Sequence, residues 1–297
     1  MVAKISVVIP SVSGLPVIAE CLDALSRQRG EVQAEVIVVD RCRNSTAALI
    51  AERFPWVDLL SRGQQEGIPQ LRAAGIERAS GDIIVITEDH CIAPDNWYEE
   101  IVKAHEAGYT VVGGSVENGC VGRVADWASF LCEYSQAMSP VPSGEVEDIP
   151  GNNASYDREV LSGISEHVKK NCWEFYLHEE LRSKGVKFLS SPAIVVTHKK
   201  QFGVGFFFAQ KFHYSRSFAA MRRTQISGQA RILYLFATPL LPLMLLWRVS
   251  RQVLRKRRLY KELVLSLPLL SLFGVSYACG EFAGYLLGQG GSLAKVE

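Results

Sequence analysis

The sequence predicts an α/β fold with a mostly parallel sheet covered by helices on both faces, followed by a hydrophobic helical region. Short apolar, β-branched runs at positions 5–9, 35–39 and 83–86 are typical of strands buried on both faces of a parallel sheet. Segments with apolar residues at helical spacing separate these runs, and short loops join them. Beyond position 201 the chain becomes aromatic and basic and then largely apolar, which indicates a second region of different character.

The first two predicted strands each end in polar residues. Pro10 and Ser11 follow the strand at 5–9, and Asp40 follows the strand at 35–39. Parallel strands present their carboxyl ends at one edge, and open α/β sheets bind ligands outside that edge. We therefore expect these residues beside a ligand, although Asp40 would also suit a capping role for the next turn.

The central predicted strand, 83–86, stops at a cluster of ionisable side chains. Glu88, Asp89 and His90 follow it directly. Side chains alternate along extended chain, so Glu88 and His90 point one way and Asp89 the other. One carboxylate and one imidazole suit a divalent metal ion. The competing interpretation is a solvated polar strand end.

The second half contains further candidates at strand and helix ends. A predicted strand at 110–112 runs into Gly113 and Gly114, where small residues suggest that backbone approaches a ligand closely. A loop follows later, and then a predicted helix at 173–184 and a strand at 193–197 that ends at His198. The loop contains Gly151, Asn152 and Asn153.

Composition excludes several classes of protein. The chain has 297 residues and a net charge of +1, which does not indicate a nucleic-acid footprint. Its seven cysteines are dispersed without a C-x-x-C pair, which argues for free thiols in a reducing compartment and against a disulfide framework. The N-terminus lacks signal-peptide features, so we expect the soluble part in the cytoplasm.

Seven motifs in order resemble the family 2 glycosyltransferases of GT-A fold, whose sheet is Rossmann-like. They cover about two-thirds of the chain and read ISVVIP, EVIVVD, LRAAGIERASGDIIVITEDH, GGSV, GNNASYDRE, WEFYLHEELRSKG and AIVVTH. The resemblance implies a nucleotide-sugar donor, UDP- or GDP-linked, and a hexosyltransferase-like activity. It places the donor against Pro10, Ser11, Asp40, Arg72, Glu88, Asp89, Gly113 and Gly114, with Gly151, Asn152 and Asn153 in a loop near the acceptor.

The same resemblance implies a divalent metal and a catalytic carboxylate. Glu88 and His90 occupy the metal-binding D-x-D position, and His198 is a third candidate ligand, for Mn²⁺ or Mg²⁺. Counting back from Gly185 gives Glu174 the place of the family's catalytic base; Glu179 is the less favoured choice. A general base acting in line inverts the anomeric centre.

Two departures from the family pattern bear on function. Arg41 follows Asp40 where the family often carries a second Asp that can meet uracil, so the base is not indicated. His90 replaces the second carboxylate of D-x-D, so the site carries one negative charge fewer.

The last third predicts membrane association. Residues 1–200 form the expected catalytic domain, and 201–231 resemble an amphipathic interfacial linker. Residues 232–297 contain apolar segments at 232–247 and 263–287 around a basic linker. The first segment is short for a span, and spanning would put the basic linker outside, against the positive-inside rule. A re-entrant or interfacial first segment avoids this, while the second segment spans or also returns.

The sequence thus predicts an inverting, metal-dependent glycosyltransferase of the inner membrane, facing the cytoplasm, with a lipid-linked or cell-envelope glycan acceptor. One alternative enzyme is a sugar-1-phosphate nucleotidyltransferase, although no G-x-G-T-R-like loop follows the first strand. The other alternative is a catalytically inactive membrane partner of a glycan synthase, motivated by Arg41 and His90.

Overall fold

The computed structural model describes residues 4–28, 32–42 and 45–296, and the chain forms two compact units. The first unit comprises Met1–Gly119 and Ala137–Lys199, and the second comprises Cys120–Gln136 and Lys200–Glu297. The described strands all belong to the first unit: β1 (Ile5–Ser11), β2 (Ala34–Asp40), β3 (Val57–Ser61), β4 (Ile83–Ile86), β5 (Cys91–Ile92), β6 (Val111–Asn118), β7 (Gly144–Val146), β8 (Ala154–Asp157) and β9 (Phe188–His198).

The helices divide between the units. The first unit contains α1 (Val17–Arg27), α2 (Thr46–Arg53), α3 (Ile68–Arg78), α4 (Trp97–Glu106), α6 (Arg158–Ser162), α7 (Glu166–Asn171) and α8 (Glu174–Ser183). The second contains α5 (Val124–Tyr134), α9 (Val204–Arg223), α10 (Gly228–Ala237), α11 (Leu241–Lys256) and α12 (Tyr260–Leu287).

The strands form one sheet in the order β3-β2-β1-β4-β8-β6-β9-β5, with β7 paired to β9. The first four strands in this order are parallel, as the sequence predicts. The sheet as a whole is mixed, because β8 runs antiparallel to both β4 and β6, and β5 and β7 run antiparallel to β9. The strands missing from the prediction, β5, β7 and β8, are two to four residues long and have no extended apolar run.

Helices cover both faces of the sheet. On one face, Val8, Ile37 and Ile84 pack in a core with side chains from α3, α6 and α8. On the other, His105 of α4 hydrogen-bonds Ser155 of β8, whose neighbour Tyr156 points to α8. Each fully buried aliphatic side chain contributes about 1.5–3 kcal/mol. Because side chains alternate along β8, Ser155 meets α4 on one face of the sheet and Tyr156 meets α8 on the other.

Candidate active site

Ser11 and Asp40 meet at the carboxyl edge of β1 and β2. They are partners in the parallel register, and Ser11 Oγ donates to Asp40 Oδ1 at 2.8 Å. Both residues are buried, as is Pro10, which pairs with Val39 in the same ladder. The position of these three residues matches the predicted ligand-binding edge, and their contacts with a donor stay a prediction.

Asp89 has protein partners on both of its carboxylate oxygens. Its side chain is fully buried, and Oδ2 accepts hydrogen bonds from the backbone N–H groups of Val12, Ser13 and Gly14 at 2.7–3.0 Å. Its other oxygen, Oδ1, lies 2.7 Å from His90 Nδ1. Asp89 therefore fixes the loop after β1 and orients His90, and its predicted contact with a donor stays a prediction.

Glu88, His90 and His198 converge as the sequence predicts. Their ligand atoms all lie within 4.8 Å of one another. His90 Nε2 is 2.9 Å from His198 Nε2 and 3.1 Å from Glu88 Oε2. Both histidines are buried, whereas Glu88 keeps about 30% of its side chain exposed. The cluster is therefore reachable from solvent through Glu88.

Sheet topology explains how two histidines 108 residues apart meet. In the antiparallel pair β5–β9, Cys91 is the register partner of His198. The backbone N–H of Lys199 also donates to the carbonyl of His90 at 2.8 Å. This pairing fixes the two chain segments side by side, so it also fixes the two imidazoles.

The charge of the cluster depends on the carboxylates around His90. Burial by itself lowers the pKa of His90, but hydrogen bonds to Asp89 and Glu88 and their negative charges raise it to about 9. Burial raises the pKa of Glu88, yet the bond to His90 and its charge lower it below its usual value. His90 therefore holds a proton at the point where the ligand atoms of the cluster converge.

The cluster fits a divalent cation. His90 Nδ1 faces Asp89, so when the ring is neutral with its N–H on that side, Nε2 presents a lone pair to the cluster, which is the usual arrangement of a metal-binding histidine. Two imidazole nitrogens and a carboxylate oxygen form a donor set suited to Mn²⁺ and tolerant of Mg²⁺. Asn152 gives a further indication of a ligand at this cluster, because its buried Oδ1 has no hydrogen-bond partner among the residues that the structure describes.

The loop at 151–153 connects this cluster to the candidate base. Asn152 Nδ2 is 3.4 Å from Glu88 Oε2. A Cβ added at Gly151 would lie 2.6 Å from Glu174 Cγ, so only glycine fits against this side chain. The side-chain amide of Asn153 donates to Ser115 O and Ile194 O and accepts from Trp97 Nε1, so it anchors the loop to the protein. Its predicted place near the acceptor stays a prediction.

Glu174 is the first residue of α8 and is about one-third exposed. Arg72 Nη1 lies 3.7 Å from its Oε2, while Arg72 Nη2 donates to Cys172 O at 2.8 Å. The buried guanidinium of Arg72 thus lies beside Glu174, and its predicted contact with the donor diphosphate stays a prediction. Helix α8 carries two other glutamates. Glu179, the less favoured choice of base, is exposed, and Glu180 pairs with Lys184.

Gly113 and Gly114 pack tightly against other segments of this protein. Both lie inside β6 and are buried. A Cβ at Gly113 would come within 2.5 Å of Ile149 Cβ, and one at Gly114 within 1.7 Å of the carbonyl oxygen of Ile194. These contacts explain why both positions carry glycine, and the predicted contact with a donor stays a prediction.

The sequence analysis missed a buried polar chain beneath Glu174. His178 Nε2 lies 2.7 Å from the Tyr156 hydroxyl, and His178 Nδ1 lies 2.6 Å from Asp148 Oδ1. Burial, together with the negative charges of Glu174 and Asp148, raises the pKa of Tyr156 well above its usual value, although the positive charge of Arg72 opposes this. The spacing of four residues between Glu174 and His178 places them on one helix face, which is a signal that the sequence did contain.

Solved structures define the class of this fold. A mannosyltransferase, PcManGT from Pyrobaculum calidifontis in complex with GDP-Man and Mn²⁺, is 18% identical with a TM-score of 0.58, over 92% of this chain and 86% of that one. GalNAc-T7 with UDP, GalNAc and Mn²⁺ is 16% identical with a TM-score of 0.53, over 68% and 44%. The GT-A architecture is thereby confirmed.

A sequence profile described as glycosyl transferase family 2 matches residues 6–164. The chain belongs to this family, as the motifs indicate. Glycosyltransferase AglE of Haloferax volcanii is 31% identical over 119 residues, which are 38% of this chain. The match spans only 39% of the length of that relative.

Proposed function

We propose that this protein is an inverting, metal-dependent glycosyltransferase that uses a nucleotide-sugar donor. The observation that carries the proposal is the convergence of Glu88, His90 and His198 beside a loop that also contacts Glu174. A charge-neutralising site for a diphosphate and a partly exposed carboxylate are thereby brought to one place. Family membership and neighbours bound to GDP-Man or UDP with Mn²⁺ support the same reaction class.

In the proposed reaction Glu174 is the general base. Its carboxylate takes the proton of an acceptor hydroxyl while that oxygen attacks the anomeric carbon. The bond from the anomeric carbon to the diphosphate oxygen breaks on the opposite side, and the nucleoside diphosphate leaves. Arg72, with Nη1 3.7 Å from Glu174 Oε2, fixes the direction of this carboxylate.

Glu88, His90 and His198 would hold the metal ion, with Asp89 fixing the tautomer and direction of His90. When bound, the ion supplies Lewis-acid stabilisation of the charge that develops on the leaving diphosphate. Ser11 and Asp40 at the β1–β2 edge are placed to meet the nucleoside part of the donor.

We propose a lipid-linked or cell-envelope glycan as the acceptor, and a catalytic unit in the cytoplasm at the inner membrane. Two helical segments support membrane association: Gly228–Lys256 and Tyr260–Leu287 are apolar and long enough to cross a bilayer. The predicted division into a catalytic part, an interfacial linker and membrane helices belongs to this proposal.

Two alternatives are separated from this proposal by activity. Family membership disfavours a sugar-1-phosphate nucleotidyltransferase. A catalytically inactive partner would keep the fold without hydrolysing or transferring any sugar.

The test is release of nucleoside diphosphate from UDP- and GDP-sugars, with and without Mn²⁺, after a thermal-shift panel has identified the donor that binds. We expect metal-dependent release. His198→Ala and Glu88→Gln should reduce it by at least about 10²-fold and raise the Mn²⁺ concentration required. His167→Ala, an exposed histidine on α7, is the matched control and should behave as the unchanged protein.

An unchanged protein that binds a donor yet never releases the diphosphate would favour the inactive partner. Full activity with EDTA present would contradict the metal site. His90→Asp should retain more metal-dependent activity than His90→Ala, because it keeps an oxygen ligand.

A further inference from the structure

The two units differ sharply in charge. The second unit contains 15 lysine and arginine residues and 5 aspartate and glutamate residues, so its net charge is +10, although the whole chain carries only +1. Arg255, Lys256, Arg257, Arg258 and Lys261 cluster where α11 ends and α12 begins. Such a surface attracts anionic lipid headgroups.

Each long apolar helix of this unit exposes one narrow stripe. On α12 the exposed apolar side chains include Val264, Leu272, Val275, Phe282 and Leu286, with spacings of three, four, seven and eight residues that follow one helix face. On α11 the exposed side chains Leu243, Met244, Trp247 and Leu254 recur in the same way. Exposed apolar faces of this kind mark surfaces that meet a membrane or another protein.

The opposite face of α12 packs against polar helices. Phe273 of α12 contacts Phe207 of α9 with ring centroids 4.6 Å apart, and Gly284 lies against the α9 backbone at Arg216. Further along α9, Arg222 Nη1 lies 3.7 Å from Glu281 Oε2 of α12.

The helices that support α12 are themselves joined by a buried ion pair. On α9, Lys211 Nζ lies 2.5 Å from Glu133 of α5. Helix α5 has 11 residues, about 16 Å, which is too short to cross a bilayer. Carrying these charges into hydrocarbon together with α12 would be costly.

Both segments are long and apolar enough to span, but each also has a feature that is unusual for a simple span. Gly228–Lys256 is interrupted by a 3-10 turn at Thr238–Leu240 that contains Pro239, with Pro242 following, and its last turn is basic. Helix α12 has the basic cluster before its first turn, and at its last turn the guanidiniums of Arg223 and Arg231 reach the Leu286 carbonyl oxygen. Positive charge at both ends of α12 conflicts with the positive-inside rule for a spanning helix.

We propose that the second unit binds a single leaflet of an anionic bilayer, with α10, α11 and α12 in the plane of the interface and no segment crossing. The apolar stripes enter the acyl boundary, while the basic cluster contacts the headgroups. This inference rests on the membrane association in the proposed function and does not require that the protein transfers sugar.

The test maps which side of the membrane each end of α12 occupies. Full-length protein with Cys42→Ser and Cys279→Ser receives one reporter cysteine: Lys261→Cys before α12, Gly291→Cys after it, or Glu52→Cys in the first unit. All three positions are exposed, and the five remaining cysteines are buried. A membrane-impermeant maleimide is applied to right-side-out spheroplasts and to inverted vesicles of the same bacterial cells, and detergent confirms that each thiol reacts.

We expect all three reporters to react in inverted vesicles and none in spheroplasts. Reaction of Lys261→Cys and Gly291→Cys from opposite sides would show that α12 spans and would overturn the proposal. So would reaction of both Lys261→Cys and Gly291→Cys from the side opposite Glu52→Cys, because the segment Gly228–Lys256 would then cross.

Protein found in the soluble fraction would contradict membrane association itself, and a dimer there would show that the apolar stripes cover a second copy. Loss of sugar transfer alone would leave the labelling pattern unchanged. Failure of the topology and failure of the proposed activity are therefore distinguishable.

Discussion

His90 uses both ring nitrogens, and this divides the carboxylates around it into two roles. Asp89 lies on the Nδ1 side and is buried with three backbone donors, whereas Glu88 and His198 lie on the Nε2 side. The alternation of side chains in the sequence indicates this separation, but it does not indicate that Asp89 holds the loop after β1. The motif that marks a metal site therefore also contains a residue of structural importance.

The first prediction at this scale concerns Glu174. Glu174→Gln keeps the shape of the side chain and removes the proton acceptor, so turnover should fall by about 10²–10⁴-fold with donor affinity retained. Turnover and donor binding are measured on the same preparations. Glu179→Gln, on the exposed part of the same helix, is the control. An inactive Glu179→Gln beside an active Glu174→Gln would show that the base lies one turn further along α8.

The second concerns Arg72. If it acts through Glu174, Arg72→Gln should lower kcat by about tenfold and leave the donor KM nearly unchanged. Unfolding should also become easier by about 1–3 kcal/mol, because Cys172 O loses its buried donor. Steady-state kinetics and urea unfolding measure the two effects. A large rise in donor KM with unchanged kcat would return Arg72 to the diphosphate.

At the scale of elements, short antiparallel strands complete a sheet that begins as a parallel one. β8 pairs with β4 and β6, and β5 pairs with β9. These strands are too short for an apolar pattern to reveal them, and their partners lie far away in sequence. They bring His198 to His90 and the loop at 151–153 to Glu88.

Gly114 tests the packing explanation of the glycines in β6. Gly114→Ala would place a methyl group against Ile194 O, so we expect at least about 2 kcal/mol of destabilisation. Gly122→Ala, where the added methyl group meets open space, should change stability by less than about 0.5 kcal/mol. Thermal and urea unfolding compare the two. A stable Gly114→Ala protein with impaired donor binding would restore the ligand role.

Glu35 of β2 gives a pH-dependent prediction. Burial raises its pKa, but hydrogen bonds from Ser6 and Ser80 and the charge of Lys4 lower it to about 2. A folded-state pKa below the unfolded value stabilises the fold above about pH 4.5, and this contribution disappears as the pH falls towards 2.

We therefore expect Glu35→Gln to cost about 1–3 kcal/mol at pH 7 and less at pH 3. Urea unfolding midpoints between pH 3 and 7 provide the measurement, with the exposed Glu52→Gln as control. An equal loss at both pH values would mean that shape and not charge is responsible.

For the whole molecule, the near-neutral net charge conceals an acidic first unit and a basic second unit. The overall charge of +1 does not indicate a nucleic-acid footprint, and it also hides a basic second unit of the kind that attracts anionic lipid. The aromatic segment before α10, whose interfacial role stays a prediction, also contributes to the packing of the second unit. Phe207 and Phe218 are buried within the second unit, where Phe207 packs on α12.

The electrostatic part of this attachment has its own test. Each basic residue near an anionic leaflet contributes about 1 kcal/mol, so Arg255→Gln combined with Lys261→Gln should weaken binding to anionic vesicles by about 10–30-fold. The loss should shrink at high salt and vanish on neutral vesicles. Flotation with Lys103→Gln and Lys187→Gln, two exposed lysines of the first unit, provides the control. Equal effects of the two pairs would exclude a specific role for the second unit.

Local patterns in the sequence determined the buried parallel strands, the polar residues at their carboxyl ends, the family and the apolar C-terminal segments. These features depend on neighbouring residues, whose periodicity and chemistry a single chain displays. The tertiary structure decided what individual residues contact. Asp89 accepts hydrogen bonds from backbone amides, Arg72 lies beside Glu174, and Gly114 packs against the backbone of β9. Such choices depend on strand order and register between distant segments, and the direction of a side chain follows only once those partners are fixed.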